Sequence, residues 1–483
     1  MKRLLALILF IFITGKIFPQ ITIDTSFEGA NARVLNINNS DNSIKVQSVL
    51  KRGDIHNVIL FFKVKNINTS QNFKISIFIN QAYYLPIFAA YSYDRITWNR
   101  FSGTINGSYK EFVNQYSRDS LYFCYGYPYT YSDMINYCSS IQNNSYVNIS
   151  NVSVSELGRN VKLLKITNNA YPDSGKQLIW VLGRNHAMET HSNYVVEGLI
   201  NFLISNDVKA VRIRNQAIVY VVPIMDVDMT ALGGTGKDQT PVDFNRDWDS
   251  PSYWNAVNDV KNKIIQTSNQ NRLRIFLDSH DPFPGETDTS ARFMCYSLHE
   301  SGIKSINLNN FRTYFVANSN YFLGRQPLYP TAGQPSTRWV DSMFSYIDIS
   351  ISFETGWTNR PDGVFWTQSL YRLNGEYIGK SVSDYIYATT AILNNTEEII
   401  NNSVLYPNPT NNSLLHKFNL AFFKNCKIEF YDILGKKIYE ENYGFLNAGE
   451  YLRNIDLSKL PSGIYYTKFI SDDIKINKIV IIK

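Results

Sequence analysis

The sequence predicts a multidomain chain: an N-terminal β-sandwich, an α/β domain on a mixed, largely parallel twisted sheet, and a small C-terminal β-sandwich. Three observations predict it. Period-two alternation fills roughly the first hundred residues after an apolar leader, strands then alternate with helical stretches, and alternation returns after a polar linker. The 483 residues suffice for two or three domains at about 100–200 residues each.

Residues 1–20 read as a signal peptide. Lys2 and Arg3 precede an apolar run over 4–14 that is too short to span a bilayer. No Cys follows it, which argues against a lipid anchor, and no later stretch reads as a transmembrane segment of the mature chain. Residues 21–118 read as the first β-sandwich. Val58-Ile-Leu-Phe-Phe-Lys-Val64 and Phe73-Lys-Ile-Ser-Ile-Phe-Ile79 have strand periodicity, with Asn, Ser, Asp and Gly clusters between such runs.

Over residues 119–393 the rhythm changes. Leu178-Ile-Trp-Val-Leu182 is a short apolar run of the buried parallel-strand type. Tyr194-Val-Val-Glu-Gly-Leu-Ile-Asn-Phe-Leu-Ile204 follows at helical spacing, and Ala217-Ile-Val-Tyr-Val-Val222, Arg274-Ile-Phe-Leu-Asp278 and Ile347-Asp-Ile-Ser-Ile-Ser-Phe-Glu354 supply further strands. Strand, helix, strand in this order implies α/β architecture, whose ligands collect at the carboxyl ends of strands. Residues 394–404 form an Asn-rich linker, and residues 405–483 are β-patterned to the end.

Charged residues make up 18% of the chain, and the net charge of +6 is dispersed without a dense Lys/Arg block, so nucleic acid is not an expected partner. None of the four cysteines forms a CxxC pair, which argues against a cysteine zinc site. In an exported chain Cys124 and Cys138 pair as a disulfide or remain two buried thiols; both readings stay open.

His186-Ala-Met-Glu189 lies between a predicted strand and a predicted helix. A His and a Glu three apart converge on one cation if the turn curls them together, and otherwise are a helix-start His with a solvated Glu. His280, directly after the strand ending at Asp278, supplies a third ligand, and His2Glu suits a catalytic zinc. His191 points elsewhere or supports the pocket; His56, His299 and His416 sit in contexts without partners. Asp243-Phe-Asn245-Arg246 offers a guanidinium fork and an amide donor that suit a carboxylate, or a structural ion pair. Asp243 is a candidate to orient a metal-bound His from behind. Glu354 is either an exposed strand terminus or a pocket carboxylate fit to act as a general base.

Taken together and in this order, His186/Glu189, Asp243/Asn245/Arg246, His280 and Glu354 resemble the zinc carboxypeptidase family. Closest is its cytosolic carboxypeptidase branch, which carries a β-sandwich ahead of the catalytic domain. Tyr122-Phe-Cys-Tyr-Gly-Tyr-Pro-Tyr-Thr-Tyr-Ser-Asp133 looks like that branch's junction motif, and Phe27-Glu-Gly-Ala-Asn31 and Trp98-Asn-Arg100 look like its N-domain signposts. The resemblance implies one Zn2+ per chain on His186, Glu189 and His280, with Glu354 as catalytic base. It gives Asn245 and Arg246 the substrate's terminal carboxylate, and Tyr329, ahead of Gly333 and Trp339, the closure over substrate. The branch usually carries an Arg that polarises the scissile carbonyl. The family's spacing puts that position at Gly236, so Lys237 is the candidate substitute, a point charge without the fork. Asp226-Val-Asp228-Met stands where the branch reads Asn-Pro-Asp-Gly, and Ala187-Met188 where it reads Pro-Gly.

Leu405-Tyr-Pro-Asn-Pro-Thr410, Ile428-Glu-Phe-Tyr-Asp-Ile-Leu-Gly-Lys436, Leu460-Pro-Ser-Gly-Ile-Tyr-Tyr466 and the terminal Lys478-Ile-Val-Ile-Ile-Lys483 resemble the sorting domain of the Bacteroidetes type IX secretion system. The joint expectation is a secreted or cell-surface zinc metallocarboxypeptidase that crosses the periplasm. Its partners would be peptide or protein C-termini and the type IX secretion machinery. The alternatives are another zinc amide hydrolase on the same fold, trimming muropeptides or acyl-amino acids, and a catalytically impaired peptide-binding homologue.

Overall fold

A computed structural model describes residues 19–78, 88–249, 251–268, 271–282, 292–295, 302–321, 324–327, 333–360, 362–394, 403–420, 424–446, 449–471 and 474–483. The expected signal peptide lies almost wholly outside them, and His299 and Tyr329 wholly so. The chain divides into two compact units, split between Lys380 and Ser381.

The first unit opens with two five-stranded sheets. One runs in the order Thr22–Asp24, Phe61–Lys65, Ser120–Tyr125, Phe88–Ser92, Asn99–Ser102; the other runs Arg33–Asn38, Ser43–Gln47, Phe73–Phe78, Tyr109–Asn114, Thr104–Asn106. Alternation explains their shared core. Phe62 and Val64 of one sheet and Phe73, Ile75 and Ile77 of the other are buried in one apolar cluster with Leu121, Phe123 and Tyr125.

The rest of this unit is built on an eight-stranded mixed sheet, ordered Val147–Val154, Asn160–Ile166, Ala217–Val222, Gln177–Gly183, Leu273–His280, Ile349–Glu354, Arg292–Cys295, Gly324–Pro327. The four strands from Ala217–Val222 to Ile349–Glu354 are parallel neighbours. Ile349–Glu354 is buried at every position, and Gln177–Gly183 at all but Gln177, as expected of strands covered on both faces. Segments remote in sequence therefore end side by side: Gly183 pairs with Ser279, and His280 with Glu354.

Helix Thr190–Leu203 starts at the strand's exit and is buried at every residue except Asn201. It crosses helix Gln368–Asn394 closely. A Cβ added at Gly198 would lie 1.8 Å from the Arg372 carbonyl oxygen, and one at Gly375 would lie 1.9 Å from that of Val195. Both glycines are thus required by close backbone approach.

The second unit contains a three-stranded sheet, ordered Val404–Tyr406, Ser413–Leu420, Gly449–Asp456, and a four-stranded sheet, ordered Lys437–Leu446, Lys424–Tyr431, Gly463–Ser471, Ile474–Ile482. Leu414, Phe418, Ile428, Phe430, Ile455 and Phe469 form its core.

Two histidine readings are corrected. His56 Nε2 lies 3.2 Å from Asp238 Oδ2, and His416 is buried between Ser403 Oγ at 2.9 Å and the Tyr443 hydroxyl at 3.0 Å. Both have partners, brought by segments remote in sequence. The cysteine question resolves to free thiols: Cys124, Cys138 and Cys426 are buried and unbridged. Burial pushes the Cys138 thiol up to about 11 and Cys124 higher still. No described helix is long and apolar enough to cross a membrane.

Candidate metal centre

The turn after Gly183 is shaped by a buried arginine. Arg184 sits at a φ of 59° and is wholly buried; its guanidinium donates to the carbonyls of Ala187 (Nε, 2.8 Å) and Tyr129 (Nη1, 2.9 Å) and to Asn193 Oδ1 (2.7 Å). This tightens residues 184–189 so that His186 and Glu189 face each other. Glu189 occupies the N-cap of helix Thr190–Leu203, yet its side chain makes no capping bond. It reaches instead into the site, where Oε1 lies 2.7 Å from His186 Nδ1 and Oε2 lies 2.6 Å from His280 Nδ1. The three residues are buried, and their ligand atoms lie within 4.8 Å of one another. Two imidazole nitrogens and a carboxylate converging in this way form a donor set that fits zinc.

Carboxylates back both imidazoles. His186 Nε2 is 3.1 Å from Asp243 Oδ1, and His280 Nε2 is 3.0 Å from Asp278 Oδ2. Such partners fix ring orientation and tautomer and raise ligand basicity. Asp243 also accepts the backbone N–H of Asn245 (2.6 Å) and Asp238 (2.7 Å). Asp278, fully buried, accepts from Asn185 Nδ2 at 2.9 Å on both oxygens and from the Ser336 hydroxyl. Burial alone would depress the imidazoles, but the charges of Asp243 and Glu189 raise His186, and those of Asp278 and Glu189 raise His280 well above the usual range. Burial likewise opposes the Glu189 carboxylate, and the two histidines hold it well below the usual value. A divalent cation held by His186, Glu189 and His280 would take the place of those protons.

Glu354 ends the adjacent strand in register with His280, and the Thr355 N–H donates to the His280 carbonyl at 3.1 Å. The Lys237 ammonium lies 3.6 Å from Glu189 Oε1. Gly236, at a φ of 68°, leaves no room for a side chain: an added Cβ would lie 2.8 Å from the Ala187 nitrogen and 2.9 Å from Asp226 Oδ2. The positive charge at this wall is therefore carried by residue 237. Asn245 turns towards His280, with Nδ2 3.1 Å from Nε2, while its Oδ1 accepts the Ser336 N–H at 3.0 Å. Arg246 Nη1 donates to the Asn245 carbonyl at 2.8 Å. His191 is no ligand: Nε2 accepts the Tyr127 N–H at 3.1 Å, the ring stacks on Tyr371 at 4.5 Å, and burial holds its pKa well below the usual value.

Two residues escaped sequence reasoning. Asp278 read only as the end of an apolar strand, although an Asp two before a candidate ligand His projects to the same face. Arg184 carried no sequence signal, since its acceptors are mostly backbone carbonyls.

The zinc carboxypeptidase family model matches residues 134–388, just over half of the chain, and the secretion system C-terminal sorting domain matches residues 404–483. Cytosolic carboxypeptidase 6 of Mus musculus is 33% identical over 171 residues, covering 34% of this chain and 32% of that protein; the Homo sapiens protein is 31% identical over 170 residues, 34% of each. The matched stretch thus spans about a third of the length of these curated relatives. Among solved structures, a metallo-carboxypeptidase from Burkholderia cenocepacia aligns with a TM-score of 0.68 at 16% identity, covering 76% of this chain and 100% of that one. A metallo-carboxypeptidase from Pseudomonas aeruginosa aligns with a TM-score of 0.67 at 19% identity, covering 76% and 99%. At these identities the likeness is one of fold. With the model match and the buried His2Glu cluster together, the chain belongs to the zinc carboxypeptidase family and ends in a secretion system C-terminal sorting domain.

Proposed function

We propose that this chain is an exported metallocarboxypeptidase that removes C-terminal residues from peptides, with one zinc per chain. The observation that carries the reading is the convergence of His186, Glu189 and His280, with Glu354 in register beside His280. Zinc held there supplies a Lewis acid that polarises the scissile carbonyl and acidifies water. Glu354 takes the proton of the attacking water and returns it to the departing amine. Lys237 faces the negative charge that develops on the carbonyl oxygen. Arg246, with Asn245 beside it, grips the free carboxylate and so fixes which bond is presented. Asp243 orients His186, and Tyr329 closes over the bound chain.

In the same reading, residues 1–20 are a leader removed on export, residues 21–118 and 405–483 are β-sandwich domains, and residues 119–393 are catalytic. The C-terminal domain directs the protein through type IX secretion to the cell surface or medium. The reading is tested by incubating purified protein with a random peptide library, with and without chelator, and following C-terminal shortening by mass spectrometry. Loss of single C-terminal residues that chelator abolishes is expected. Cleavage only of muropeptides or acyl-amino acids would replace the substrate class, and bound zinc without any hydrolysis would refute the enzymatic reading.

A further inference from the structure

Loop 233–239 carries Lys237 and contains Gly233, Gly234, Thr235 and Gly236 in sequence. Three glycines give it little conformational preference of its own, so its shape is set by what holds it. Carboxylates grip it at three points. Asp238 N–H donates to Asp243 at 2.7 Å, and Gln239 Nε2 donates to Asp226 at 2.8 Å, both within the α/β region. The third grip comes from the N-terminal β-region: Asp54 accepts Thr235 N–H on Oδ2 at 2.9 Å and Gly236 N–H on Oδ1 at 2.8 Å.

These two successive N–H groups immediately precede Lys237. Asp54 is 8% exposed, and its own loop is fastened on both sides. The Thr240 N–H donates to the Gly53 carbonyl at 2.7 Å, and Thr235 Oγ1 donates to the His56 carbonyl at 2.7 Å. Successive backbone N–H groups converging on one carboxylate form a short, charge-assisted clamp. On the far side of the loop, the Met188 N–H donates to the Thr235 carbonyl at 2.9 Å, between the ligands His186 and Glu189. The clamp thus lies one peptide from the charge and one hydrogen bond from the metal turn.

We infer that Asp54 is a positioning residue for the site: by fixing the Thr235 and Gly236 amides it sets where the Lys237 ammonium stands relative to Glu189. The inference rests on the role given to Lys237 above. A stabilising charge acts only if preorganised, and a lysine on a loose glycine loop loses that advantage.

The test uses the zinc-loaded full chain carrying D54N, K237M and both together, with D54S as second variant if D54N does not fold. D54N is expected to lower kcat about tenfold or more, with KM nearly unchanged and zinc content intact. In the K237M background the same change should alter kcat less than about twofold, because the charge it positions is gone. Independently of activity, amide hydrogen exchange in a peptide covering 233–239 should accelerate about tenfold in D54N while the second unit is unchanged. Reductive methylation of Lys237, read by mass spectrometry, should change rate in parallel. Equal losses of kcat in both backgrounds would overturn the inference, as would unaltered exchange and methylation. If the wild-type protein hydrolyses nothing, the enzymatic reading fails, and exchange and methylation still decide whether Asp54 holds the loop.

Discussion

Replacing Asp278 by Asn should weaken zinc binding without unfolding the sheet. The carboxylate is fully buried and 3.0 Å from His280 Nε2, the nitrogen opposite the one facing Glu189. For a full positive charge at that separation, an effective dielectric of about 20 gives an attraction of roughly 5 kcal/mol. An imidazole bound to a cation through Nδ1 carries only part of that charge at Nε2. The expected loss is therefore the share usual for such backing carboxylates, about 10–100-fold in affinity or about 1.4–2.7 kcal/mol. Asn keeps the shape and one acceptor, so Asn185 and the Ser336 hydroxyl retain a partner. Competition against a chromogenic chelator reads the affinity, and circular dichroism checks the fold. A D278N protein that is folded and holds zinc as tightly as wild type would show that Asp278 does not support the ligand.

Three further outcomes follow from the same geometry. E354Q removes the proposed proton acceptor, in register with His280, and should lower kcat by about 10²–10⁴-fold at unchanged zinc content; a fully active E354Q protein would refute the base assignment. G198A forces a Cβ to within 1.8 Å of the Arg372 carbonyl oxygen, so the two helices must part, at a cost of about 3 kcal/mol or more; an unchanged Tm would contradict the close crossing. Burial pushes Asp226 from 3.8 to about 7, helped by the charges of Asp228 and Asp54 and opposed by bonds from Met229 and Gln239. Its folded-state pKa lies above the unfolded one, so its contribution is fully present below about pH 4 and is lost as pH rises through about 7. The Tm of D226N should therefore gain on wild type across that window, and parallel Tm curves would refute the burial effect.

Local patterning carried much of this fold, for a physical reason. Gln177–Gly183, Leu273–His280 and Ile349–Glu354 are buried on both faces, so their apolar runs stand out, and chemistry placed at their carboxyl ends is visible as polar residues interrupting them. That is why His186, Glu189, His280 and Glu354 could be singled out as candidates. Partners across the fold left no such trace. Asp54 meets residues 235 and 236, and its sequence context shows only a turn; Arg100 was legible only as part of a resembling motif, and nothing in it pointed to the carbonyls of Trp357 (2.6 Å) and Trp366 (2.8 Å) to which it donates. His56 and His416 looked isolated for the same reason, their partners being 182 positions away for His56 and 13 and 27 for His416. Asn245 was legible as part of an Asn-Arg pair, but its amide faces His280 only because the fold brings together residues 35 positions apart.

The same contacts give the N-terminal β-region a physical task. Arg100 holds the segment after Glu354 through three carbonyls, and Asp54 holds the loop before Asp243 through two amides. One segment lies between Glu189 and His280 in sequence and the other follows Glu354, and opposite charges from the N-terminal β-region fix them. Neither grip uses a side chain of the clamped segment, so each constrains backbone whatever residues that backbone carries. Lys237 instead of a residue at 236, and Ala187-Met188 in the metal turn, can then vary while the frame around them stays put. A frame of this kind separates the geometry of the site from the identity of its lining.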